Sequence, residues 1–331
     1  MDVLAHATTA AEITARLDRL PMTRHIWKLV TLIALGGCFE VYDLFFSGYV
    51  APGLFRAGIF TPTTVSLFGM TGIASFIGAL FAGLFVGTIA FSYFADRFGR
   101  RAIFTFSLVW YSVATFVLAF QNSPDMVNLW RFIGGVGIGV ELVTIDTYIS
   151  ELVPKRARGK AFAYQQAIGF CAVPLVALFA WLLVPADPFG FSGWRWVVLI
   201  GSAGAIVIWF IRLGLPESPR WLARHGRFAQ AEAVTAVIEA KVAAEVGTLP
   251  APGPAQAQEE GEGSFAEIWQ PPYDRRAIIL SVFNFFQTFG YYGFAAWVPT
   301  LLIAKGITIT TSLLYSFVIA LANPSARCSA H

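Results

Sequence analysis

Two carboxylates stand three residues apart inside an apolar run, Phe39-Glu40-Val41-Tyr42-Asp43-Leu44-Phe45, and an arginine, Arg131, leads into another, Phe132-Ile133-Gly134-Gly135-Val136-Gly137-Ile138-Gly139. Residues three apart share a helix face, so Glu40 and Asp43 would present their acids together. Burial raises the proton affinity of a carboxylate and a nearby guanidinium lowers it. A group held between these influences can take up and release a proton as its cavity opens to either side of a membrane, which is the physical requirement for proton coupling. Asp43 is the first choice for that carboxylate, Glu40 the second. The alternative is a fixed ion pair that only holds helices together. Arg131 is costly in lipid unless it faces a cavity or a partner, and its other solution, at shallow depth, is to reach outward to the headgroups.

Such residues need elements that carry them across lipid. The composition is 56% hydrophobic and 13% charged with a mean hydropathy of +0.65, outside the balance of soluble domains. Runs of roughly 20 apolar residues, enough for a membrane span, recur near 26–50, 66–94, 102–121, 128–150, 162–184, 194–215 and 277–303, and an eighth begins near Thr310. The first run is expected to stay in the mature protein, because it is long, carries Glu40 and Asp43 and lacks a small-residue cleavage site at its end. Lys and Arg collect on alternate loops, which places the N-terminus and the even-numbered loops in the cytoplasm. The net charge of +3 then reflects topology and gives no reason to expect nucleic acid as a partner. Cys38 and Cys171 lie inside spans and Cys328 in the tail, so neither a disulfide framework nor a thiolate metal site is expected. The histidines at 6, 25, 225 and 331 have no ligand spacing, and no cofactor is expected. The glycines after Arg131 look like a dinucleotide fingerprint, but no strand precedes them. Gly135 and Gly139 lie one turn apart, which suits close helix packing.

Four regions follow: a cytoplasmic N-terminal segment (1–25), a six-helix bundle (26–215), a cytoplasmic linker (216–276) and the start of a second bundle (277–331). Within the linker, Arg220 to Val246 has helical spacing, whereas the Pro- and Gly-rich strip from Leu249 to Gly263 has the composition of disorder. Short surface helices followed by a flexible strip are expected.

Three elements carry a resemblance. Phe91-Ser92-Tyr93-Phe94-Ala95-Asp96-Arg97-Phe98-Gly99-Arg100-Arg101 resembles the signature G-x-x-x-D-R-x-G-R-R between the second and third helices of the major facilitator superfamily, with Ser92 in place of its first glycine. Arg131 to Gly139 followed by Glu151-Leu152-Val153-Pro154-Lys155-Arg156-Ala157-Arg158-Gly159, and Pro216-Glu217-Ser218-Pro219-Arg220-Trp221-Leu222, are similar to elements of its sugar porter and metabolite:proton symporter branches. The resemblance implies an all-α membrane protein of two six-helix halves, here a complete first half and about two helices of the second. It also implies alternating access, proton coupling through Asp43 and Arg131, and a cytoplasmic gate of Asp96, Arg97, Arg101, Glu151, Arg158, Glu217 and Arg220. Opposite charges at helix ends on one membrane face can indeed form a latch that breaks when bundles separate. Topology control alone would explain the arginines and leave the acids unexplained.

The substrate cavity is expected to draw on Glu141, Asp146, Gln165, Gln166, Gln287, Tyr291 and Tyr292. Sugar porters carry a glutamine in the fifth helix where this chain has Cys171-Ala172, and their seventh-helix Q-Q-x-x-G-x-N element is not intact here. These departures favour proton symport of a small organic metabolite, of organic or aromatic acid type, across the cell inner membrane. A sugar or polyol symporter is the alternative within the class. Outside it stand a transporter-like sensor and an inactive truncated fragment, the latter because the chain turns polar partway through its eighth span. An enzyme would need a nucleophile, metal or cofactor constellation that the sequence does not offer. The expected partners are a small-molecule substrate, protons and the lipid bilayer.

Overall fold

In the computed structural model the described residues are 2–66, 69–212, 214–254 and 265–322, apart from the side chains of 2–8, 91–96, 204–205, 207–209, 211–212 and 265. They form helices joined by turns, with one isolated bridge between Val65 and Thr71. The first-half spans are α2 (Arg24–Arg56), α3 (Ile73–Phe98), α4 (Arg100–Leu118), α5 (Pro124–Leu152), the pair α6 (Arg158–Phe170) and α7 (Ala172–Leu183), and α8 (Gly193–Arg212). Among the described residues α2, α3, α4, α5 and the α6–α7 stretch are each long and apolar enough to cross a membrane. Helices α11 (Asp274–Ala304) and α12 (Ile309–Ala320) cover the seventh expected span and the beginning of the eighth.

Two boundaries differ from expectation. The second span begins at Ile73 rather than Ser66, because a tight turn occupies the interval: Gly72 N–H donates to Thr64 O at 2.8 Å and Ser66 N–H to Met70 O at 3.2 Å. The fifth span is broken at Cys171. Pro174 has no N–H and its ring excludes the carbonyl of Phe170, so the ladder fails there; Cys171 N–H bonds Ile168 O instead.

Small residues let the bundle close. A methyl group on Gly135 would lie 2.5 Å from Leu80 O, on Gly139 2.4 Å from Leu84 O, and on Gly87 2.1 Å from Val136 O. The backbones of α3 and α5 therefore touch across glycines on both helices, the packing expected of Gly135 and Gly139. One apolar core, with Phe46, Val50, Phe76, Val176 and Trp194, runs through the bundle. A second joins the inner ends of α2 and α5 to three further helices: α1 (Asp2–Asp18), α9 (Pro219–Arg224) and α10 (Phe228–Val246). The short linker helices expected from the sequence are thus present, but docked rather than lying loose on the surface: Trp221, Leu222, Ile238 and Val242 are buried against Ile13 and Leu17 of α1. Most of the strip expected to be flexible, residues 255–263, lies outside the described residues.

The second-half helices pack on the first half at α2 and α7. A methyl group on Gly48 of α2 would fall 2.6 Å from Ala296 O of α11. Ser312 of α12 donates to Pro299 O at 2.7 Å, and Phe317 stacks on Trp181 of α7 with ring centroids 6.1 Å apart.

Candidate coupling site, cavity and inner gate

Asp43 lies in the middle of α2 with both carboxylate oxygens engaged. Arg131 Nη1 donates to Oδ1, and Thr115 Oγ1 of α4 donates to Oδ2 at 2.7 Å. Arg131 Nη2 also donates to the backbone carbonyl of Asp43 at 2.6 Å. Arg131 has no solvent exposure, and Phe46 covers its guanidinium at 4.1 Å from the ring centroid. Arg131 therefore does not reach out to headgroups; it is the buried partner of Asp43. Three helices hold a charge pair that neither water nor lipid reaches, where each ion depends on the other for its solvation. A proton placed on Asp43 would remove one charge and loosen the other.

Glu40 is buried one turn earlier on α2. Glu141 on α5 has no exposure, and Gln165 on α6 packs beside Gly37, its Nε2 3.1 Å from where a methyl group there would lie. Gln165 Oε1 has no hydrogen-bond partner among the described residues. None of these three residues is among those lining the cavity described next.

That cavity, of about 450 Å³, lies where α2, α7, α11 and α12 meet, and Phe45, Tyr49, Val173, Tyr291, Phe294 and Ser316 help to line it. Tyr291 is among its lining residues, and Tyr292 lines a small neighbouring recess with Phe81 and Ser47. Other expected cavity residues lie elsewhere. Asp146 is exposed on α5: five residues from Glu141 is about 140° around a helix, so the two acids cannot share a face. Gln166 is half-buried on α6, turned about 100° from Gln165. Gln287 is exposed with the rest of its stretch of α11.

At the inner end, Glu151 pairs with Arg100 at 3.0 Å, and both side chains are buried. Glu217 Oε1 accepts the backbone N–H groups of Arg100 and Arg101 at 3.0 and 3.1 Å and so caps α4, where negative charge is favourable. Gly99 sits at φ 96°, and a methyl group there would meet Glu217 Oε2 at 2.8 Å, which explains the glycine of that turn. Arg220 donates to Ser150 O and to Asp18 Oδ1, at 3.1 and 2.7 Å. Arg97 is exposed and Arg158 half-buried, and Asp96 lies outside the residues whose side chains are described. Arg100 and Asp18 join this network of charges at the helix ends, and sequence reasoning missed both. Arg100 stood inside the signature itself; Asp18 closes a helix whose signal was the apolar spacing Ile13, Leu17, Leu20.

Helix α1 is fixed by charge as well. Arg16 bonds Glu239 and Glu232, each at 2.6 Å, and Arg19 bonds Glu239 at 2.6 Å. Burial pushes the Glu239 carboxyl up, but the hydrogen bonds from Arg16 and Arg19 outweigh it and hold the group below the usual carboxylate range. Glu245 of α10 accepts the N–H groups of Arg24 and His25, both at 2.8 Å, and so caps α2, whose own Thr23 makes no side-chain cap.

Residues 29–330 match the family described as sugar (and other) transporter. The chain is 32% identical over 304 residues to a putative metabolite transport protein, YyaJ, of Bacillus subtilis, covering 91% of this chain and 64% of that protein. It is 28% identical over 312 residues to the niacin transporter NiaP of Acinetobacter baylyi, covering 94% and 67%. In fold it is similar to the proton:xylose symporter XylE of the major facilitator superfamily bound to 6-bromo-6-deoxy-D-glucose, with a TM-score of 0.70 and 20% identity over 92% of this chain and 68% of that one. The chain spans about two thirds of the length of these proteins. With the expected fold in place and nearly all of its sequence matched, the chain belongs to the sugar (and other) transporter family and is a multi-pass, all-α membrane protein of the major facilitator fold.

Proposed function

We propose that this chain acts in proton-coupled symport of a small organic metabolite across the cell inner membrane, with its N-terminus in the cytoplasm and Asp43 as the coupling carboxylate. The observation that carries the reading is the fully buried pair of Asp43 and Arg131, with Thr115 on the remaining carboxylate oxygen. A pair so placed has a bonded arrangement when Asp43 is charged and a looser one when it is protonated, which gives a two-state element for the proton to bias. Arg100, Glu151, Glu217 and Arg220 would hold the inner ends together in the closed state and separate when that end opens. The relatives' names, metabolite transport protein and niacin transporter, support an organic metabolite. A sugar or polyol is the weaker choice, because the described cavity offers rings while Gln287 is exposed and Gln165 lies outside its lining.

The test is uptake of labelled nicotinate by proteoliposomes holding the 331-residue chain, with an inward proton gradient imposed. Accumulation is expected, together with its collapse on addition of a protonophore and its loss in Asp43→Asn. Accumulation indifferent to the protonophore would overturn proton coupling, and absence of uptake by the wild-type chain would overturn transport by this polypeptide.

A further inference from the structure

We propose that the cavity between α2, α7, α11 and α12 is an aromatic clamp that takes the uncharged planar ring of an aromatic or heteroaromatic ligand; the inference deepens the transport reading and rests on it for the ligand's purpose. The rings of its lining are Phe45, Tyr49, Tyr291 and Phe294, and Phe45 and Tyr291 are packed with Phe170, which is not in the lining, and Tyr292, which lines the neighbouring recess. Phe45, Phe170 and Tyr291 meet one another edge to face, at 6.0 Å for Phe45–Phe170, 5.9 Å for Phe45–Tyr291 and 6.0 Å for Phe170–Tyr291, with interplanar angles between 61° and 72°. Tyr292 extends the group, 5.5 Å from Phe45 and 5.3 Å from Tyr291. Ring quadrupoles favour this T-shaped geometry, and a further ring entering beside Phe45 and Tyr291 finds both a face and an edge ready.

The space fits. A cavity of about 450 Å³ lies within the range of small-molecule sites, whereas a single benzene needs roughly 150 Å³, so a ring with one polar substituent has room. The polar atoms of the lining are few: the phenols of Tyr49 and Tyr291, and Ser316, which donates to Ser312 O at 2.9 Å. No charged side chain is among the lining residues that the structure describes, and Arg131 is bound to Asp43 outside it. An ionised carboxylate would find no cation to pair with among the described lining residues. The ligand part held here is therefore a neutral ring bearing an amide, a hydroxyl or a protonated acid, its substituent toward Tyr49 or Ser316.

Equilibrium binding to the purified, detergent-solubilised chain at pH 8 separates the elements of the inference. The probes are benzamide, cyclohexanecarboxamide and benzoate, which vary the ring and the charge one at a time. Benzamide is expected to bind roughly three- to tenfold more tightly than cyclohexanecarboxamide, and more tightly than benzoate, whose affinity should rise as the pH falls. Tyr291→Leu should remove the preference for the aromatic ring. Phe294→Leu, at the exposed mouth of the cavity, should reduce it without endangering the fold. Equal affinity for the two amides, benzoate binding as tightly as benzamide at pH 8, or an unchanged aromatic preference in both variants would overturn the clamp. A chain that prefers benzamide but accumulates nothing under a proton gradient would overturn the transport reading and leave the clamp standing; proton-driven uptake without ring preference would do the reverse.

Discussion

Asp43 and Arg131 stabilise the bundle only as a pair. Their carboxylate and guanidinium are bonded to each other and wrapped by Phe46 and Phe76, so removing one leaves the other charged and unsolvated. Breaking a buried pair this way costs about 3–5 kcal/mol, whereas replacing both partners by apolar groups is often near neutral. Thermal unfolding in detergent should therefore show Asp43→Leu and Arg131→Met each strongly destabilised, and the double variant closer to wild type than either. Strict additivity in this cycle would mean that the two charges are not coupled. Both residues were legible in the sequence, because an ionised group in an apolar run demands an explanation. Their partnership across α2 and α5 was legible only as an expectation: it spans 88 positions and depends on how the helices are rotated.

The elements were read well where periodicity or composition exceeded the noise of a single residue, and poorly where the deciding contact came from elsewhere in the chain. Pro174 sits in plain view, yet its effect, the break at Cys171, had been folded into one continuous span. Helix α1 fell within the stretch read only as a cytoplasmic N-terminal segment; of its described side chains, Ile13 and Leu17 join the buried seam, which depends on α9 and α10 for cover. Asp146 and Glu141 were read together as cavity acids, although their phases on α5 lie about 140° apart. The glycines were read correctly as packing residues on α5, while their counterparts Gly83 and Gly87 on α3 passed unnoticed. That interface gives a graded prediction. Gly139→Ala places a methyl group 2.4 Å from a backbone carbonyl of α3, which cannot rotate away, whereas around Gly134 the nearest atoms lie at 3.7 Å. Overpacking of this kind costs about 1–3 kcal/mol. Gly139→Ala should lower the unfolding temperature and Gly134→Ala should leave it close to wild type or raise it, since alanine favours helix; the reverse order would show that α3 and α5 do not meet as described.

Across the whole molecule, α1 and α10 tie the N-terminal segment and the linker to one end of the bundle. Arg16 and Arg19 hold Glu239, Asp18 accepts the N–H of Lys155 at 2.8 Å as well as the Arg220 guanidinium, and Glu245 caps α2. Single exposed ion pairs contribute about 0.2–1 kcal/mol, but here two converge on the Glu239 carboxylate beside a buried apolar seam. The folded-state pKa of Glu239 lies below its ordinary value. Its contribution is therefore fully present above the ordinary glutamate pKa of about 4.3 and is lost as the pH falls through the lowered folded value. Hydrogen exchange along α1 reads this directly. Protection in wild type should be constant through neutral pH and fall on acidification below that window, once corrected for the intrinsic exchange rate. In Glu239→Gln the ionic hold is absent at every pH, so α1 should exchange faster at neutral pH and lose the acid-dependent step. If that variant keeps the neutral protection, the seam of Ile13, Leu17 and Ile238 secures α1 without the ionic hold on Glu239, and an acid step that survives in it belongs to another carboxylate.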